Sequence, residues 1–179
     1  MSGHFPGDPT PRQELERMIR VDHAGEYGAA RIYAGQLAVL GRGPKGDLLR
    51  HMKAQEQVHL DTFSRLIAQR RVRPTALLPF WNIAGFALGA VTAAMGEKAA
   101  MACTVAVEET IDEHYSAQSA SLGEDEAALR DTIETFRAEE LEHRDIGLEN
   151  GAEQAFAYRL LTQVIKAGCR VAIKVSEAV

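Results

Sequence analysis

AEELEHRD, residues 138 to 145, sets Glu140 and His143 one helical turn apart in what reads as a charged helix. Residues at i and i+3 share a helix face, so a carboxylate and an imidazole at that spacing can reach the same ion. Glu139, Glu140 and Glu142 also crowd like charge into this turn without interleaved lysines. That is unfavourable unless something positive lies close by. Glu139 and Glu142 fall on other faces of the helix than Glu140, and Glu142 is expected in solvent. A second pair of the same spacing, Glu56 and His59, lies in QEQVHL at 55 to 60. Alone the two pairs are a weak signal, and their position on helical stripes is what sharpens them.

Five segments carry helical periodicity, separated by LGRGPKGD at 40 to 47, RVRPT at 71 to 75, SLGED at 121 to 125 and ENGAE at 149 to 153. Nothing reads as strand. The first segment, about 11 to 40, lines up Ile19, His23, Glu26, Ala30, Tyr33 and Leu37; the second, about 46 to 71, lines up Leu49, Met52, Glu56, His59 and Phe63. The third ends on a stripe of Met101, Thr104, Glu108, Ile111 and Tyr115, and the fourth, about 124 to 148, carries Leu129, Ile133, Phe136, Glu140, His143 and Gly147. Each stripe is apolar at its ends and acidic in its middle.

Read along the chain, the stripe centres run Glu, Glu-x-x-His, Glu, Glu-x-x-His, with 30 residues from Glu26 to Glu56 and 32 from Glu108 to Glu140. That is the ligand order of carboxylate-bridged di-iron and di-manganese four-helix bundles. Four buried carboxylates are prohibitively costly without compensating charge, and two divalent cations would balance them. The candidate metal ligands are therefore Glu26, Glu56, His59, Glu108, Glu140 and His143. Glu109 adjoins Glu108 as an alternative, but Glu108 shares the apolar stripe. His23 and Tyr115 take inward positions better suited to supporting a site than to ligating a metal.

From Pro74 to Gly96 no residue is charged, long enough for a transmembrane helix. A single crossing there would leave Glu26, Glu56 and His59 on one side of a bilayer and Glu108, Glu140 and His143 on the other, so one site could not form. A bundle needs instead a long crossover after its second helix, and about 20 helical residues cover about 30 Å. Lying on a membrane, such a crossover would present Leu77, Leu78, Phe80, Trp81, Phe86 and Leu88 for membrane access. Lys166, Arg170 and Lys174, spaced by four on the last segment, about 153 to 178, would meet anionic headgroups. The other reading of the run is a crossover buried in a soluble oligomer.

The expected architecture is all-α: a ferritin-like four-helix bundle of the di-iron or di-manganese kind, with an apolar crossover segment and an extra C-terminal amphipathic helix. Residues 1–10 are expected to be a flexible N-terminus, and 11–179 a single domain. A formal charge of -5 and a pI of 5.7, with no basic arm, exclude a general nucleic-acid binder. Cys103 and Cys169 form no CxxC pair, which suits a reducing compartment. The opening MSGHFPGDPTPRQ lacks the apolar run of a signal peptide. The expected location is peripheral, on the cytoplasmic face of a bacterial inner membrane or the matrix face of a mitochondrial one.

RVDHAGEYGAARIYAGQ, QEQVHL, RVRPT, WNIAGFALGA, AMACTVAVEETIDEHY, EELEHRDIG and AGCRVAIKVSE together run from about residue 19 to the end of the chain. On these stretches the sequence resembles the demethoxyubiquinone hydroxylases of ubiquinone biosynthesis, also called 3-demethoxyubiquinol 3-hydroxylases. The resemblance implies a membrane-attached ferritin-like bundle with two iron ions, and its ligand motifs fall on Glu26, Glu56, His59, Glu108, Glu140 and His143. It implies O2-dependent hydroxylation of a polyprenylated methoxy-methyl-benzoquinol. It leaves room for a lipid-binding delivery partner and for homo-oligomers. Two rival readings of the same residues are a ferritin-like peroxidase or iron-handling protein and a metal-free membrane-associated helical scaffold.

Overall fold

The computed structural model describes residues 8–179 as six helices joined by short turns. Most of the N-terminal stretch expected to be flexible lies outside the described residues. Helix α1 spans Pro11–Leu40 and α2 spans Gly46–Arg70. They are followed by α3 (Leu78–Ala94), α4 (Glu97–Ser121), α5 (Ala127–Glu149) and α6 (Tyr158–Ala178). The start of α1 is set locally: Thr10 accepts from the Gln13 backbone N–H while the Gln13 side chain accepts from the Thr10 N–H, with Pro11 pre-set in the first turn.

The single third segment expected from periodicity is two helices. Gly96 separates α3 from α4 with φ 118, a backbone angle that glycine adopts without steric penalty. The last helix begins five residues later than expected, because a 3-10 turn at Ala152–Gln154 and a left-handed Ala157 precede Tyr158.

The hairpins α1–α2 and α4–α5 form the bundle, and each is followed by a helix that returns along its own first member. Helix α3 packs on α1, and α6 packs on α4 and α1. The α3–α1 crossing has no side-chain layer at its centre. A Cβ on Gly89 would strike the Ile32 carbonyl, one on Gly85 would meet the Gly28 carbonyl, and one on Gly35 would strike the Phe86 carbonyl. The Gly85/Gly89 pair is thus spent on docking α3 to α1. Lys166 and Arg170 turn toward α4, pairing with Glu109 at 2.5 Å and Glu113 at 3.0 Å. Two of the three cations expected at headgroups are therefore used to hold α6 in place. Trp81 Nε1 donates to Ser176 Oγ at 3.1 Å and ties α3 to α6.

Apolar packing divides along the bundle axis. Tyr33, Leu49, Met52, Ala100 and Met101 form one half, and Ile19, Phe63, Ile67, Leu129, Ile133 and Phe136 the other. Between them lies a layer of buried acids and imidazoles. A third cluster, Ile32, Cys103, Ala106, Val107 and Ile165 with Leu88, joins the bundle to its two outer helices.

Candidate metal centre

Each bundle helix delivers one stripe-centre side chain or pair to the middle layer. Glu26 comes from α1, Glu56 and His59 from α2, Glu108 from α4, and Glu140 and His143 from α5; all six are essentially inaccessible to solvent. They form two quartets. Ligand atoms of Glu26, Glu56, His59 and Glu140 lie within 4.8 Å of one another, and so do those of Glu56, Glu108, Glu140 and His143. Glu56 and Glu140 belong to both. All six residues singled out by spacing are brought together, and Glu109 is not among them.

The two imidazoles are oriented alike. His59 Nδ1 lies 3.0 Å from Glu140 Oε1 and 3.4 Å from Glu26 Oε2, while His143 Nδ1 lies 3.1 Å from Glu56 Oε1 and 3.4 Å from Glu140 Oε2. On the outer side, His59 Nε2 meets Glu139 Oε2 at 2.6 Å and His143 Nε2 meets Gln55 Oε1 at 3.0 Å. A carboxylate and an amide oxygen only accept, so each Nε2 carries hydrogen and each Nδ1 faces the inner acids. Phe136 stacks on the His59 ring with centroids 4.0 Å apart. Two tyrosines complete the layer: Tyr33 donates to Glu108 Oε1 at 2.8 Å, and Tyr115 donates to Glu26 Oε1.

These contacts fill in the expectations. Glu139 lies on another face of α5 than Glu140, as expected, and from there reaches His59 on α2. Tyr115 takes the supporting role expected of it. Gln55 and the role of Tyr33 are new, and the signal for them was an internal repeat: Glu26 and Tyr33 are spaced as Glu108 and Tyr115 are, and QEQVH at 55 to 59 parallels EELEH at 139 to 143. His23 is buried but belongs to neither quartet. Glu142 is exposed, as expected. Outside the quartets, Asp22 is buried and accepts from Gln118 Nε2 at 2.6 Å, with His114 3.6 Å away.

Electrostatically the layer cannot carry four charged acids unaided. Burial pushes up Glu26, Glu56 and Glu108, and Glu140's negative charge adds to the shift at all three. Glu140 stays ionised: burial would raise it, but the imidazoles of His143 and His59 beside it bring it down to about 2. Burial opposes the charged form of His59, yet its contacts with Glu140 and Glu26 hold it up to about 12. In the absence of cations the acids must share protons, and these are the positions where divalent ions would replace them.

The apolar run separates into two faces. Phe80, Ile83, Phe86 and Val91 are exposed on α3, as is Met95 just past its end, and Leu160, Val164 and Val171 are exposed on α6. Leu77 and Leu78 are half-buried, Trp81 is held by Ser176, and Leu88 packs inward beside Ile165 and Cys103. Among the described residues no helix is long and apolar enough to cross a membrane.

Four antiparallel helices converging four carboxylates and two imidazoles on one buried layer define a ferritin-like helical bundle with a centre that could hold a metal. The family model for ubiquinone biosynthesis protein COQ7 matches residues 13–176, and the chain belongs to that family. It is similar to the 3-demethoxyubiquinol 3-hydroxylase of Rhodospirillum rubrum, 62% identical over 98% of this chain and 83% of the relative. It is also similar to the NADPH-dependent 3-demethoxyubiquinone 3-hydroxylase, mitochondrial, of Bos taurus, 57% identical over 95% of this chain and 80% of the relative. The 5-demethoxyubiquinone hydroxylase, mitochondrial, of Saccharomyces cerevisiae is 43% identical over 92% of this chain and 78% of its own length.

Proposed function

We propose that the chain is an O2-dependent hydroxylase acting on the ring of a polyprenylated methoxy-methyl-benzoquinol. Two iron ions would be held by Glu26, Glu56, His59, Glu108, Glu140 and His143. The observation that carries this reading is the pair of overlapping quartets sharing Glu56 and Glu140. Glu26 and His59 belong to one quartet, Glu108 and His143 to the other, and Glu56 and Glu140 would contribute to holding both ions. The donor atoms fit such an occupant: Glu26 Oε2, both oxygens of Glu56, Glu108 Oε2 and Glu140 Oε2 are buried with no hydrogen-bond partner among the described residues. Leaving so many acid oxygens unpaired is costly, and cations would use them. Mixed imidazole and carboxylate donors suit iron.

Bound there, the two ions supply the electrons and Lewis acidity that O2 activation requires. The chain's own contribution is positional. Tyr33 and Tyr115 fix the terminal carboxylates, Gln55 and Glu139 fix the imidazoles, and the apolar halves keep bulk water from the layer. In the net reaction one oxygen atom enters the ring as hydroxyl and the other leaves as water, so two electrons and two protons must also be supplied. A reduced nicotinamide, the donor type in the Bos taurus relative's name, balances that requirement.

A polyprenyl tail requires a lipid-facing approach, and the exposed apolar faces of α3 and α6 support a peripheral seat on a membrane. In this reading Phe80 and Phe86 contact lipid, and Leu88 stands on the route from the outer helices to the bundle interior. An iron-handling protein has no use for that surface. The location would be the cytoplasmic face of a bacterial inner membrane or the matrix face of a mitochondrial one, the latter matching the relatives named mitochondrial.

The test is metal analysis joined to product labelling. Purified protein loaded anaerobically should retain about two irons per chain, and Glu140→Ala and His143→Ala should lose most of it. With a short-tailed demethoxyquinol, labelled O2 should place one label in the ring hydroxyl. Iron bound without label incorporation would favour the iron-handling reading, and no iron bound would favour a scaffold.

A further inference from the structure

The metal-facing parts of the two halves correspond position for position. Tyr33 follows Glu26 by seven residues and Tyr115 follows Glu108 by seven, and each hydroxyl donates to the other half's glutamate. Glu56 and His59 correspond to Glu140 and His143. The residue just before each Glu-x-x-His reaches the outer nitrogen of the other half's imidazole. At this position the two halves differ in charge, with an amide, Gln55, in the first and a carboxylate, Glu139, in the second. They differ also four residues before each Glu-x-x-His glutamate, where Phe136 stacks on His59 and its counterpart is Met52.

The difference is one of charge rather than reach. Both rings are fully buried, and both outer contacts are within hydrogen-bond distance, 3.0 Å to Gln55 and 2.6 Å to Glu139. A carboxylate acceptor gives a shorter bond about twice as strong as a neutral one. It also pushes electron density through the ring to the inner nitrogen, making that nitrogen a stronger donor to a cation. The Glu139 side chain is 35% exposed, so it carries its charge without the penalty of full burial.

We propose that Glu139 is a positioning residue that makes the two metal positions unequal: the one built on Glu26 and His59 binds tighter and fills first, and the one built on Glu108 and His143 fills second. This rests on the two-metal reading above. Glu56 and Glu140 belong to both quartets, whereas the outer partners of the two imidazoles differ in charge. Exchanging Gln55 and Glu139 should exchange the order of filling.

Anaerobic titration of the full chain with Co2+, followed by visible absorption against a competing chelator, tests this. The parent should take up cobalt in two steps separated by about tenfold or more in affinity. Glu139→Gln should weaken the tighter step until the two merge. Gln55→Glu should strengthen the weaker step and merge them from the other side. The double exchange should restore two separated steps, a rescue that loss of packing would not produce. Equal spacing of the steps in the parent and both single variants overturns the proposal and leaves the two-metal reading standing. A parent that binds no Co2+ overturns both.

Discussion

Replacing Glu56 with leucine is expected to raise the stability of the protein in chelator while abolishing its stabilisation by metal. Both Glu56 oxygens are buried without a hydrogen-bond partner. Burial, followed by the negative charges of Glu140 and Glu26, holds its carboxyl well above the usual range. A buried acceptor left unpaired costs about 1 to 3 kcal/mol, a cost that an apolar side chain of similar volume removes. At this chain length each kcal/mol moves the melting midpoint by about 2 to 4 °C, so a central gain of about 2 kcal/mol predicts about 4 to 8 °C. Saturating metal should reverse the order, since a cation at a thousandfold excess over Kd stabilises the parent by about 4 kcal/mol and the variant lacks a shared donor. Calorimetric melts of both proteins, in chelator and in anaerobic Co2+, measure the two differences directly. A variant that melts below the parent by the same margin in both conditions refutes the reasoning, because Glu56 would then be stabilising the fold by itself.

In chelator, stability should fall as pH rises. His59 is held up at about 12 against an ordinary 6.5, so its contribution is complete below 6.5 and is lost on the way to about 12. Glu26, Glu56 and Glu108 are raised and act with the same sign above 4.5. Urea unfolding at about pH 7 and about pH 9 should show the decline, and saturating Co2+ should flatten it; stability rising with pH in chelator would contradict the assignment. Gly89→Val should cost about 1 to 3 kcal/mol, because its added carbons meet the Ile32 carbonyl rather than a movable side chain, and limited proteolysis should then cut at α3. Ile83 is 73% exposed, so Ile83→Asp should leave the melting midpoint unchanged while reducing co-sedimentation with anionic vesicles. Unchanged vesicle binding would move the lipid contact elsewhere.

The six candidate ligands were legible because a bundle helix must bury one stripe, and a charged residue in mid-stripe is conspicuous. The contact of Glu139 was not legible because helical spacing reports a residue's direction from its own axis, whereas its partner His59 sits on the neighbouring helix. Gly96 gave no warning of a break, since the apolar composition before it and the stripe after it both satisfy helical periodicity. The cations of α6 were read as free because Glu109 and Glu113, which hold Lys166 and Arg170, lie more than fifty residues away in the chain. Long-range pairing of this kind leaves no mark on a local pattern.

The glycine crossing between α1 and α3 makes α1 a rigid lever shared by two surfaces. One side of α1 carries Glu26 into the buried layer, while Gly28, Ile32 and Gly35 lie directly against α3. Flexible side chains ordinarily form a compliant cushion between helices, and here backbone meets backbone. A force applied to α3, by lipid or by a neighbouring molecule, therefore arrives at Glu26 as displacement with little lost to repacking. The spacing of the central acids is in that sense gauged from the outside of the molecule.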